Sequence, residues 1–208
     1  MARYTEAVCR LCRREGEKLF LKGAKCTTEK CTLTKRAFPP GQHGQARTKL
    51  SNYGKQLREK QKVRRIYGVL EKQFRSYFEL AAKSKGVTGK VLLQILERRL
   101  DNVVYRLGLA SSRAQARQIV RHNLIAVNGT RTNIPSFLVE KDQVVGVKAK
   151  EKALAYLKGN LEAAKDRTVP SWLDWSAKDL QAKVVRLPEK QDIQQPIQEQ
   201  LIVELYSK

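Results

Sequence analysis

Acidic side chains are scarce in this 208-residue chain, in which 20 Asp and Glu stand against 42 Lys and Arg and the formal net charge is +22. A folded chain tolerates that much self-repulsion when a polyanion offsets it, so nucleic acid is the expected partner. Long apolar runs are also missing. None approaches the ~18 residues of a membrane span, which excludes a membrane-crossing role by helices. The opening residues Met1 to Glu6 carry no apolar signal region, so export is not expected and a cytoplasmic location is. With only two histidines, no Ser–His–Asp or Cys–His constellation stands out, and no small-molecule substrate is expected. There is no internal repeat and no low-complexity segment. What is present is a 41% hydrophobic fraction, which excludes a purely disordered basic tail and suffices for one or two domains.

Cysteine is absent beyond residue 31. All four, Cys9, Cys12, Cys26 and Cys31, lie before it as two close pairs across a loop of 13 residues. Such spacing can bring four thiolates to one tetrahedral centre. Two disulfides are the competing reading, disfavoured where the compartment keeps thiols reduced. The expectation is one structural zinc per chain. An iron–sulfur cluster uses the same ligands and remains the alternative. Four protein thiolates close the coordination shell, so the metal would be structural and not catalytic.

The most informative stretch runs from Lys90 to Val147. Leu92, Ile95, Leu96, Leu100, Val103, Val104 and Leu107 recur at three- and four-residue intervals, predicting one helix over 91–107 with a single apolar stripe. Gly108 supplies a left-handed stop. Ser112 followed by Gln115 fits a capping box that opens a second helix. On that helix Arg113, Arg117 and Arg121 are four apart and share a face. Three like charges in a row repel by ~0.2–0.5 kcal/mol per pair, which an anion lying across them would relieve; a solvated basic face is the bland alternative. Leu124 to Val127 then reads as a strand, Asn128-Gly129 as a type I′ turn, and Gln143 to Val147 as a further strand.

This order of elements, with Arg98-Arg99-Leu100-Asp101-Asn102, Ser112-Arg113-Ala114-Gln115-Ala116-Arg117 and Ala126-Val127-Asn128-Gly129, resembles the alpha-L RNA-binding motif. The resemblance implies RNA contacts from Arg98, Arg99, Arg113, Arg117, Arg121 and Asn128. Pseudouridine synthases share the module, and Arg99-Leu100-Asp101 is similar to a short catalytic motif of theirs. That motif belongs to a separate domain, whereas Asp101 here falls inside the first helix and is expected to face solvent.

Between the cysteines and this module lies a turn-rich stretch, Phe38 to Arg47. Its Gly41-Gln42-His43-Gly44 matches a KH loop, but Pro39-Pro40 directly before it argues against the preceding helix such a loop needs. From Tyr53 the chain is helical again. Val63, Ile66, Tyr67, Leu70, Phe74, Tyr77 and Phe78 keep helical spacing and read as core. Lys55, Arg58, Lys62, Arg64 and Arg65 occupy the other faces and are candidates for phosphate contact. Gly86-Val87-Thr88-Gly89-Lys90 lacks the spacing of a phosphate-binding loop and has Val91 where Ser or Thr would hold magnesium. Glu151 to Lys165 predicts a polar helix. Leu201 to Tyr206 is either a strand or a last helical segment.

Pro40-Gly41-Gln42-His43-Gly44, the run Tyr53-Gly54-Lys55-Gln56-Leu57-Arg58-Glu59-Lys60-Gln61-Lys62-Val63-Arg64-Arg65-Ile66-Tyr67-Gly68 and the closing Leu201-Ile202-Val203-Glu204-Leu205-Tyr206-Ser207-Lys208 resemble, end to end, the bacterial small-subunit ribosomal protein S-four family in its cysteine-containing, zinc-binding version. The resemblance implies a non-enzymatic, primary rRNA-binding constituent of the small ribosomal subunit that nucleates assembly of the subunit body. It also implies a place beside neighbouring small-subunit proteins at the channel through which mRNA enters, with Arg47 and Lys49 facing the mRNA, and an influence on translational accuracy. The implied fold class is α+β. Residues 1–45 form a metal-binding arm, 46–97 a helical domain completed by 166–208, and 98–165 an inserted alpha-L domain of two helices and a small antiparallel sheet. An alpha-L protein acting off the ribosome in stress or regulation is the alternative function, and an RNA-modifying enzyme the third.

Overall fold

A computed structural model describes residues 3–46, 49–164, 167–193 and 195–207. In chain order the helices are α1 (Cys9–Glu15), α2 (Thr32–Lys35), α3 (Asn52–Ile66), α4 (Glu71–Lys83), α5 (Thr88–Glu97), α6 (Leu100–Arg106), α7 (Arg113–Arg121), α8 (Glu151–Ala163) and α9 (Glu199–Tyr206). The strands are β1 (Ile125–Val127), β2 (Thr130–Arg131), β3 (Val144–Val147), β4 (Leu173–Ser176) and β5 (Gln181–Val184). The chain divides into two compact units, residues 1–92 with 195–208, and residues 93–194.

The first unit is helical. Ser51 caps α3 by accepting the Gly54 amide at 3.1 Å, and a left-handed Gly68 separates α3 from α4. Val63 and Ile66 of α3, Phe74, Tyr77 and Ala81 of α4, Leu92 of α5 and Ile202 of α9 are all buried. Tyr67, Phe74 and Tyr77 therefore serve the core as their spacing predicts, whereas Phe78 is half-buried and Leu70, also expected inside, is exposed ahead of α4. The segment whose conformation was open, 201–206, is helical. Its Tyr206 ring stacks 4.5 Å from that of Phe78 and its hydroxyl donates to Glu71 at 2.9 Å. Lys62 donates to the Pro196 carbonyl at 3.1 Å and Gln56 to Glu204 at 2.9 Å, so α9 is held along much of α3. Gly89 permits the close approach of α5 to α9: a Cβ there would lie 2.6 Å from the Glu199 side chain. Gly89 thus has a packing reason and Gly86 a backbone one, its φ being 126°, and neither involves phosphate.

The second unit packs α6, α7 and α8 against a five-stranded antiparallel sheet of order β2-β1-β3-β5-β4. Asn128 (φ 48°) and Gly129 (φ 78°) take the left-handed conformations of the expected tight turn, aligning Val127 with Thr130. Val103, Val104, Ile119, Val120, Ile125, Val145, Leu157 and Trp172 form one buried cluster.

Two sequence expectations are corrected by this architecture. The helix expected over 91–107 is broken at Arg98-Arg99. There the backbone turns aside to bond residues 135–139: Leu100 donates to the Phe137 carbonyl at 2.8 Å, Asp101 to Pro135 at 3.1 Å, and Val139 to Arg98 at 2.9 Å. The tail also divides. Residues 166–208 were expected to complete the helical domain, but only those from 195 onward belong to that unit. β5 pairs with β3, placing Ala182 opposite Val145, and β4 pairs with β5. Leu173, Ala182 and Val184 thereby enter the core of the alpha-L unit.

Deleting the buried side chain of α9 should expose how firmly it belongs to the helical unit. Ile202→Ala is expected to destabilise the protein by about 2–5 kcal/mol, as a large-to-small change in a close-packed core does, measured by urea unfolding. A change below about 0.5 kcal/mol, the size of an ordinary surface substitution, would show α9 to be an ornament on α3.

Candidate nucleic-acid interface and cysteine arm

Ser112 caps helix α7 as its sequence predicts, its hydroxyl accepting the Gln115 amide at 3.3 Å, but the reciprocal bond of the expected capping box is displaced by one residue, the Gln115 side chain accepting the Ser111 amide at 2.6 Å. Its three arginines differ in surroundings. Arg113 Nε donates to Asn102 Oδ1 at 2.8 Å, and its guanidinium lies 4.5 Å from the centre of the Tyr105 ring. Arg117 meets Asp101 Oδ2 at 3.3 Å. Arg121 is exposed. Tyr105 also receives Arg167, 4.7 Å from the ring centre, whose guanidinium donates to the Ala110 and Ser111 carbonyls.

The residues expected to touch RNA around the start of α6 and in the hairpin are not all presented at the surface. Arg99, expected on the RNA face, is 1% exposed and clamps Asp101 through Nε at 3.0 Å and Nη2 at 2.6 Å. Asp101, expected to face solvent, is 3% exposed, because Arg99 and Arg117 converge on its carboxylate. Arg98 is partly buried and donates to the Val139 carbonyl at 2.7 Å. Asn128 Oδ1 accepts the Val144 amide at 2.8 Å, which locks the hairpin. Below these, Glu97 is 1% exposed and receives Arg106 through Nε at 3.1 Å and Nη2 at 2.7 Å. Neither Glu97 nor Arg106 was a sequence candidate; lone charges inside an apolar period were the available signal.

On α3 much of the basic face is answered internally. Arg58 and Arg65 both bind Glu15, whose side chain is 3% exposed, tying α1 to α3. Lys60 and Arg64 bind Glu71 at 2.6 and 3.0 Å, and Lys62 binds Glu59 at 3.0 Å and Glu17 at 3.4 Å. Although burial opposes it, the Lys60 and Tyr206 hydrogen bonds and the charges of Lys60 and Arg64 hold the Glu71 carboxyl below the usual range. Lys49 and Lys55 remain exposed. Arg47 lies outside the described residues.

In the cysteine arm, Cys12, Cys26 and Cys31 are buried, Cys9 is half-buried, and none forms a disulfide. Among the described residues no group of three or more His, Cys, Asp or Glu is gathered closely enough to hold a metal. The donor chemistry nonetheless suits a thiolate-bound cation. The Lys22 amide donates to Cys26 Sγ at 3.3 Å. Burial, then the neighbouring Cys26, Cys9 and Cys31, push the Cys12 thiol up, while a Leu19 amide contact opposes them. Against burial, the Leu33 and Thr34 amides, the Thr34 hydroxyl and Lys18 draw Cys31 down. Mutual repulsion together with amide donors aimed at sulfur is what a shared cation would resolve.

Known proteins align with this division. Residues 3–97 match the ribosomal protein S4/S9 N-terminal domain, and residues 98–145 match the S4 domain. The small ribosomal subunit protein uS4 of Acetivibrio thermocellus is 61% identical over 208 residues, all of both chains. The chain belongs to the ribosomal protein S4 family. The uS4 proteins of Geobacter metallireducens and Thermodesulfovibrio yellowstonii are similar at 60% and 57% identity, again over the whole of each chain. The S4-domain match ends at residue 145, whereas the sheet built on that domain continues to Val184. Among the described residues no helix is long and apolar enough to cross a membrane.

The Glu97–Arg106 pair should behave as a structural anchor of the S4 domain. Arg106→Ala leaves a carboxylate uncompensated in the interior and is expected to cost about 3–5 kcal/mol, read from thermal or chemical unfolding. Unaltered stability would show that water or another cation replaces the guanidinium.

Proposed function

We propose that this chain is a structural, non-enzymatic constituent of the small ribosomal subunit in the cytoplasm that binds rRNA, with α7 as a principal contact. The observation that carries this reading is full-length identity of 57–61% to small-subunit uS4 proteins. The net charge of +22 supports it. Arg113, Arg117 and Arg121 form the RNA-facing row, joined by exposed Lys49 and Lys55. Arg99 is instead an internal support, and Arg58, Lys62, Arg64 and Arg65 act first in holding α3 to its neighbours. Early binding to rRNA, nucleation of the subunit body, contact with neighbouring small-subunit proteins and a place at the channel through which mRNA enters complete the role. By the same reading Cys9, Cys12, Cys26 and Cys31 hold one zinc that orders the first 45 residues. The metal would supply a structural crosslink and no chemistry.

RNA binding should follow counterion release. Affinity for a small-subunit rRNA transcript is expected to fall log–log linearly with salt, with a slope of at least about −5, or ~0.7–0.9 per phosphate neutralised. Arg121→Ala should lower that slope by about one while leaving stability within ~0.5 kcal/mol. Salt-independent binding would assign the charge to some other partner, and failure to co-purify with small subunits after a high-salt wash would favour a role off the ribosome.

For the cysteine arm, elemental analysis of protein purified without chelator should return one zinc per chain. Cys9→Ser or Cys31→Ser should loosen the arm and leave the S4 domain folded, since thiolate-bound zinc contributes an apparent ~10–16 kcal/mol to small folds. Metal-free protein with an ordered arm would end the zinc assignment.

A further inference from the structure

Consecutive residues at the start of α6 each hold one arginine of α7. Asp101 takes Arg117 and Asn102 takes Arg113, and both holders are themselves fixed from behind. Asn102 is 1% exposed, and its orientation is dictated by chemistry. Its amide nitrogen donates to the Glu97 carbonyl at 3.0 Å and to Glu97 Oε2 at 2.7 Å, which only the nitrogen end can do. The oxygen must therefore point toward Arg113. Arg106 in turn holds the Glu97 carboxylate with two donors. On the other side Arg99, with two donors of its own, presents the Asp101 carboxylate to Arg117.

We propose that Asp101 and Asn102 are positioning residues for RNA recognition, acting through two buried relays, Arg99–Asp101–Arg117 and Arg106–Glu97–Asn102–Arg113. The proposal rests on the reading that α7 meets RNA. An arginine gripped through Nε and lying against Tyr105 has given up rotamer freedom on folding, so less is lost when a phosphate arrives. Arg121, one turn further along the same row, has no such anchor among the described residues and serves as the internal control.

Simple electrostatics and positioning predict opposite signs at Asp101. Removing a carboxylate from beneath a basic face strengthens attraction for RNA if charge alone matters. If Asp101 positions Arg117, D101N weakens binding.

The test titrates the full chain with a small-subunit rRNA transcript, with folding checked by near-UV circular dichroism. N102A and D101N are each expected to weaken binding about three- to tenfold, the scale of coupling within one hydrogen-bond network. N102A should add nothing in an R113A background and should add fully to R121A. Tighter binding by D101N, unchanged affinity of N102A beside a weakened R113A, or simple additivity of N102A with R113A would each overturn the proposal. If one variant loses its near-UV signature, the other decides, since each interrupts a separate relay. Wild-type affinity in R113A, R117A and R121A alike would instead overturn the RNA-facing reading of α7, and the proposal with it.

Discussion

Placing cations in a chain that has few carboxylates is the constraint on which the rest of this structure depends. Lys60, Lys62, Arg99 and Arg106 are buried, and each faces an acidic side chain, respectively Glu71, Glu59, Asp101 and Glu97. An unpaired charge in those positions would cost several kcal/mol, so the acids that lie inside are committed there. Glu15 meets two arginines at once, joining the cysteine arm to α3. Each such pair takes one cation inward with its acid, so the interior stays close to neutral and the excess of cations is left outside. That unpaired excess, and not the buried pairs, builds the field that attracts a polyanion.

On α7 the allocation is graded. Arg113 and Arg117 stand half inside, tied to α6, while Arg121 stands outside. A row of freely solvated cations would offer charge without geometry. Two tethered guanidiniums beside a free-standing one combine charge with settled orientation, the combination that bidentate recognition of an anion favours.

Much of this was legible in residues whose meaning is local. The Ser112 cap, the left-handed Gly108, the Asn128-Gly129 turn and the helical spacing of Val63, Ile66, Phe74 and Tyr77 depend on neighbours a few positions away, and each appears as its sequence predicts. What stayed hidden depends on distant partners. The apolar stripe runs unbroken across Arg98-Arg99, and only the 135–139 segment, which takes up the backbone there, breaks the helix. Asp101 reads as a solvent-facing charge until Arg99 and Arg117 converge on it. Leu173-Asp174-Trp175-Ser176 alternates like a strand, yet nothing local says that β5, and through it β3, is its partner. For the cysteine arm, spacing singles out four candidate donors, of which Cys12, Cys26 and Cys31 are buried and Cys9 half-buried.

The division of the tail has a kinetic meaning. Lys62 and Pro196 are bonded across 134 positions, so completing the first unit means closing a very long loop. Closure entropy grows only with the logarithm of loop length, but it must be met before the contacts of α9 give any return. The second unit is continuous from 93 to 194 and sits wholly inside that loop. Folding it first replaces a long flexible connection by a compact one, and the search of α9 for α3 becomes a search over a smaller volume. The insertion therefore favours an order in which the inner unit folds before α9 docks. The domain that carries the arginine row is complete within its own stretch of chain and has no need of the last helix to assemble.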